Sequence, residues 1–237
     1  MEKRYTMDDF LEVVAALRGE NGCPWDKRQT HESLRPFMME EAAELLASIR
    51  IYKQTGNAEN MCEELGDILF QVGLHSHIAR EEGLFTIEDV ISGITEKMIR
   101  RHPHVFGNLN QNSIEDIHKT WDEIKKEEKA GQSWITSPLR EIPQELPSLV
   151  RAVKVMKKVE KEQPGADYQE TVSALKKQIE ELEKYDRDTQ KTEISNKMAD
   201  IFMSLSRISL LTGIQQEQVL YDRIEAYIIE KESDLHK

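Results

Sequence analysis

The sequence predicts an all-α fold. Its 237 residues are cut by 7 prolines and 11 glycines into helix-length pieces. Hydroxyl residues stand three positions before carboxylates at several of the breaks, as helix N-termini require, and no stretch sustains an alternation of β-branched with polar residues.

Thr6 with Asp9, Thr86 with Asp89 and Ser113 with Asp116 each offer acceptors to the unpaired N–H groups of a first turn, which starts helices near 7, 87 and 114. Between the first two lie segments over about 31–55, ended by Thr55-Gly56-Asn57, and 58–82, ended by Gly83. The helix from 87 stops near Arg101, because Pro103 disfavours helical geometry at His102. Pro138, Pro143 and Pro147 mark 131–147 as a linker. Helical pieces follow near 148–162, 167–186, 190–212 and 215–234, separated by Pro164-Gly165 and Thr212-Gly213. The expected organisation is a first domain over 1–130, the linker, and a second domain over 148–237.

With 38% hydrophobic and 32% charged residues, the chain reads as globular. No apolar run approaches the roughly 20 residues a membrane-spanning helix needs, and Met1-Glu2-Lys3-Arg4-Tyr5 leads into polar sequence, so a cytoplasmic protein is expected. Cys23 and Cys62 are too few for a disulfide framework and imply reduced thiols. The net charge of −12, from 44 acidic and 32 basic residues, opposes nucleic acid and anionic membranes as partners. A polyanionic ligand therefore needs a local cation, either a metal or clustered Lys and Arg.

Glu40-Glu41-x-x-Glu44 and Glu63-Glu64-x-x-Asp67 each place carboxylates three residues apart, about 60° around one helix face. If the two helices are antiparallel neighbours, four carboxylates converge as a hard-oxygen site for Mg²⁺ or Mn²⁺. Solvated faces of an acidic protein are the plain alternative, but Ala42, Ala43, Leu45, Leu65, Ile68 and Leu69 set both acid groups beside apolar stripes. Gly66, next to Asp67, is a candidate point of close helix approach. His75 with His77, and His102 with His104, are i,i+2 pairs whose helical side chains face apart, which argues against zinc.

Read together and in order, Gly22-Cys23-Pro24-Trp25-Asp26, Glu40-Glu41-x-x-Glu44, Glu63-Glu64-x-Gly66-Asp67, Arg100-Arg101-His102-Pro103-His104-Val105-Phe106 and Trp121-x-x-x-Lys125 resemble the MazG family of nucleoside triphosphate pyrophosphohydrolases. The resemblance spans roughly the first 130 residues. It implies an all-α homodimeric enzyme that cleaves a nucleoside triphosphate between its α and β phosphates. By position it implies metal ligation and catalysis by Glu41, Glu44, Glu64 and Asp67, with magnesium as cofactor and manganese as a substitute. Lys97, Arg101, Trp121 and Lys125 match positions that contact the nucleotide. Trp25 either anchors a buried turn or reaches a base edge. Glu40 and Glu63 are both candidates for general base or outer support.

The second half weakly repeats the first. Ala199-Asp200-Ile201-Phe202-Met203 echoes Gly66-Asp67-Ile68-Leu69-Phe70, and Glu181-Leu182 echoes Glu44-Leu45. Aligned so, Gln178 replaces Glu41 and Lys197 replaces Glu64. Lys197 is expected to pair with Glu181 or Asp200 in place of a metal, leaving one active domain per chain and a dimerisation or regulatory role for the other. The rival reading, a non-catalytic interaction module of the same fold, predicts no metal-dependent turnover.

Overall fold

A capping box opens the first helix: Thr6 Oγ1 accepts from the Asp9 N–H, and the Asp9 carboxylate accepts from the Thr6 N–H at 2.8 Å. The computed structural model describes residues 4–107, 113–129 and 136–235, and among these no strand occurs. The helices are α1 (Met7–Arg18), α2 (Arg35–Thr55), α3 (Glu59–Glu81), α4 (Ile87–Arg101), α5 (Pro103–Phe106), α6 (Ile114–Lys129), α7 (Ser148–Val159), α8 (Tyr168–Leu182), α9 (Lys191–Thr212) and α10 (Gln216–Leu235). None of the described helices is long and apolar enough to cross a membrane.

The stops read from sequence act as expected. Gly56 ends α2 at φ 74°, where any Cβ would be strained. Thr86 with Asp89 and Ser113 with Asp116 cap α4 and α6. Pro103 forces His102 out of helical geometry, to φ −122° and ψ 58°, and then starts the single turn of α5, an element additional to those expected from sequence.

The chain divides into two compact units, residues 1–130 and 131–237. In the first, α2 pairs with α3, and α1 packs across α3. The core gathers Val14, Leu34, Leu74 and Ile78, with Phe10, Phe37 and Phe70 against them. The close approach of helices falls at Gly73, where a Cβ would meet the Phe10 ring at 3.0 Å and Val14 at 3.2 Å. It does not fall at Gly66, where a Cβ would meet nothing within 4 Å.

In the second unit α8 pairs with α9, and α7 packs on α9. Part of the expected linker is structured: Pro138–Glu141 forms a 3-10 turn on α7, tied by an ion pair from Lys158 to Glu141. Residues 131–135 of that segment lie outside the described residues. Gln216 Nε2 donates to the Leu149 carbonyl at 3.0 Å and to Ser206 Oγ at 2.7 Å, joining three helices of this unit through one amide.

Leu74 is 1% exposed at the centre of the first core. Leu74→Ala is expected to remove about 2–5 kcal/mol from the unfolding transition of the first unit, the range for a buried leucine that leaves a cavity, measured by chemical denaturation.

Candidate metal and substrate site

The paired helices α2 and α3 bring Glu41, Glu64 and Asp67 together, each offering a carboxylate oxygen within 4.8 Å of the other two. Glu64 and Asp67 lie three residues apart on α3, so they share its face toward α2. All three are partly buried. Unit charges at such a spacing repel by roughly 3 kcal/mol per pair at an effective dielectric of about 20. Burial, and then the charges of Asp67, Glu44, Glu64 and Glu40, push the Glu41 carboxyl above its ordinary range.

Glu64 shows the same imbalance in its hydrogen bonding. Its Oε1 accepts from Asn60 Nδ2 at 2.6 Å, whereas its Oε2 is buried with no partner. A buried carboxylate oxygen without a donor costs free energy unless a cation meets it. Three oxygen donors with one such oxygen fit a hard divalent cation. Glu44 is exposed and stands outside the trio, although its charge acts on Glu41. Glu40 and Glu63 are also exposed.

A second cluster joins the end of α4 to α6. The Arg101 guanidinium lies over the Trp121 ring, 5.1 Å from its centroid, and His102 meets the same ring edge-on at 5.0 Å. Arg100 and Arg101 both donate to Glu128. Lys97 stands one turn before Arg101 on α4 and is partly buried; Lys125 stands one turn after Trp121 on α6 and is exposed. Because α3 also packs on α4, one unit carries both the acidic trio and the cationic cluster.

Trp25 is 50% exposed and meets Phe37 edge-on at 5.6 Å, so it does not anchor its turn by burial. The anchor is Arg18, whose side chain is 5% exposed. Its Nη1 donates to the Asp26 and Gln29 carbonyls, and its Nε donates to Glu81 on α3 at 3.1 Å. The histidines take structural partners. His75 Nδ1 lies 2.7 Å from His31 Nδ1, and His77 lies 3.3 Å from Glu81.

In the second unit Lys197 Nζ sits 2.7 Å from Glu181 and 3.6 Å from Asp200, its side chain 16% exposed. The lysine thus pairs with both acids expected of it. The hydrogen bond from Lys197 holds the Glu181 carboxyl below its usual range, and the same bond raises the Lys197 pKa. Gln178, at the position of Glu41 in the repeat, accepts from Ser204 at 2.9 Å. A fixed ammonium stands at the position that the sequence repeat aligns with Glu64.

Two site residues escaped the sequence reading, Asn60 and Glu128. Glu128 had a signal: Trp121, Lys125 and Glu128 follow the i, i+4, i+7 spacing of one helix face. Asn60 precedes Glu64 by four residues, but such a pair on a helix has no meaning until Glu64 is known to be buried.

Residues 29–106 match the family model described as the MazG nucleotide pyrophosphohydrolase domain. The chain is 37% identical over 213 residues to the nucleoside triphosphate pyrophosphohydrolase/pyrophosphatase MazG of Thermotoga maritima, covering 90% of this chain and 79% of that protein. It is 39% identical over 153 residues to the nucleoside triphosphate pyrophosphohydrolase of Escherichia coli, covering 64% of this chain and 56% of the relative. It is also 48% identical over 148 residues to the uncharacterized protein YabN of Bacillus subtilis, where the match covers 62% of this chain but 29% of YabN.

Protein stripped of metal by chelation is expected to gain thermal stability on adding Mg²⁺ or Mn²⁺, and Glu64→Gln to lose that gain. Lys197→Met should lower the melting midpoint of the second unit while leaving the metal response intact. A wild-type midpoint indifferent to both ions would count against the trio as a metal centre.

Proposed function

The chain belongs to the MazG nucleotide pyrophosphohydrolase family, and on that premise we propose that its first unit cleaves nucleoside triphosphates between the α and β phosphates, releasing the monophosphate and pyrophosphate. The observation that carries this reading is the orphaned Glu64 oxygen within the Glu41, Glu64 and Asp67 trio, in the same unit as the Arg101 and Trp121 cluster.

Glu41, Glu64 and Asp67, with Glu44 beside them, are the residues that would hold magnesium, with manganese as a substitute. Bound there, the ion supplies charge neutralisation for the phosphates and an acidified water. Arg101, Lys97 and Lys125 balance the remaining phosphate charge, which a chain of net charge −12 must do locally. Trp121 borders the nucleotide, and the exposed ring of Trp25 is available to a base. The reaction needs no protein nucleophile: water oxygen bonds to phosphorus, the bond to the α–β bridging oxygen breaks, and the water proton is lost. Glu40 and Glu63, the exposed neighbours of the trio, are the candidates to receive that proton.

The second domain, 148–237, is proposed as a degenerate copy serving dimerisation or regulation, since Lys197 already pairs with its acids. A homodimer acting in the cytoplasm completes the proposal. Leu46 and Leu65 on the acid-bearing helices are 66% and 52% exposed, and Tyr221 and Ile224 on α10 are 53% and 46% exposed, apolar area that a second copy would cover.

Incubating the protein with Mg²⁺ and a panel of nucleoside triphosphates is expected to yield monophosphate and pyrophosphate. Diphosphate plus phosphate as the products would sink the α–β assignment. Glu41→Gln should lower turnover by more than the roughly 10–100-fold typical of losing an outer-shell partner, while Glu181→Gln leaves it unchanged. Light scattering on the eluting protein should give twice the mass of one chain.

A further inference from the structure

Glu128 divides its two oxygens between consecutive arginines at the end of α4. Oε1 accepts from Arg100 Nε at 2.8 Å and Oε2 from Arg101 Nε at 3.0 Å, and each guanidinium adds a second N–H, from Nη2, to the same oxygen. The Glu128 and Arg101 side chains are each 14% exposed, while Arg100 is 51% exposed. The hydrogen bond from Arg101 holds the Glu128 carboxyl below its ordinary range, with burial opposing and Arg100 adding to the effect.

Arg101 is therefore constrained twice by α6: Glu128 occupies its Nε–Nη2 edge, and Trp121 covers one face. Among the described residues the Nη1 group has no hydrogen-bond acceptor. A guanidinium is a rigid planar fork, so fixing one edge and one face fixes the direction of the remaining N–H groups. One carboxylate against two guanidinium groups also leaves the group with a net positive charge. Rotamer freedom that an unrestrained arginine would lose on meeting a phosphate is already lost.

We propose that Glu128 is a positioning residue for substrate affinity: it aims Arg101 at a triphosphate oxygen without touching the substrate itself. This rests on the reading of the first unit as the triphosphate site. It predicts that Glu128 acts only through Arg101.

The test uses the full chain, the best substrate from the panel above, and its α,β-methylene analogue as a ligand that resists α–β cleavage. Glu128→Gln is expected to raise both KM and the analogue Kd about tenfold, with kcat within about twofold of wild type. Glu128→Asp, which keeps the charge, should recover part of the loss and serves as the variant to measure should Glu128→Gln fold poorly. In an Arg101→Lys background, which lacks the fork, Glu128→Gln should add no further increase. An unchanged or lowered KM and Kd would overturn the inference, a lowered value showing that Glu128 competes with phosphate. So would a rise in the Arg101→Lys background as large as in wild type. If wild type released no pyrophosphate from any nucleotide, the cleavage proposal would fail, and the analogue Kd values would still decide the role of Glu128.

Discussion

Carboxylates packed at the seam of two helices repel one another, and each unit of this chain is arranged around that repulsion. Glu41, Glu64 and Asp67 crowd their oxygens within 4.8 Å at the α2–α3 seam, and one buried oxygen has no donor. At the α8–α9 seam Glu181 and Asp200, which the sequence repeat aligns with Glu44 and Asp67, share the ammonium of Lys197. Two paired-helix seams thus carry two electrostatic arrangements. In one the chain supplies an ammonium, and in the other burial and the neighbouring carboxylates push the Glu41 carboxyl above its ordinary range. In the sequence repeat, Gln178 stands in place of Glu41 and Lys197 in place of Glu64.

So acidic a protein can meet a polyanion only through local positive charge. The net charge of −12 repels phosphates at long range, so attraction has to be local and desolvated. The α4–α6 cluster concentrates Arg100 and Arg101 at one helix end and restrains both with a single carboxylate. Partial burial keeps the restraint from being screened away, and the Trp121 ring gives Arg101 a face to lie on.

The rigid part of the first unit lies behind the acids. Gly73 lets α1 settle against α3, where the Phe10 ring and Val14 leave no room for a side chain. Arg18 then ties the Trp25 turn to α3 through Glu81. Precision at the trio follows from this packing, because α3 carries both the anchored face and two of the three carboxylates.

The sequence by itself determined the local events. Capping at Thr6, Thr86 and Ser113, the ends at Gly56 and Gly213, and the break at Pro103 depend on groups within a few residues of each other, so they were legible one segment at a time. The spacing of Glu64 and Asp67 and the replacement of Glu41 and Glu64 by Gln178 and Lys197 in the repeat were legible for the same reason. Only the tertiary structure decided which acids meet. It put Glu41 in the trio and left Glu44 in solvent, placed the close contact at Gly73 and not Gly66, left Trp25 half exposed while Arg18 took the anchoring role, and set Glu128 between two arginines. Each of those outcomes depends on the rotation of one helix against another, which is fixed by packing across long sequence separations and has no signature in any single segment.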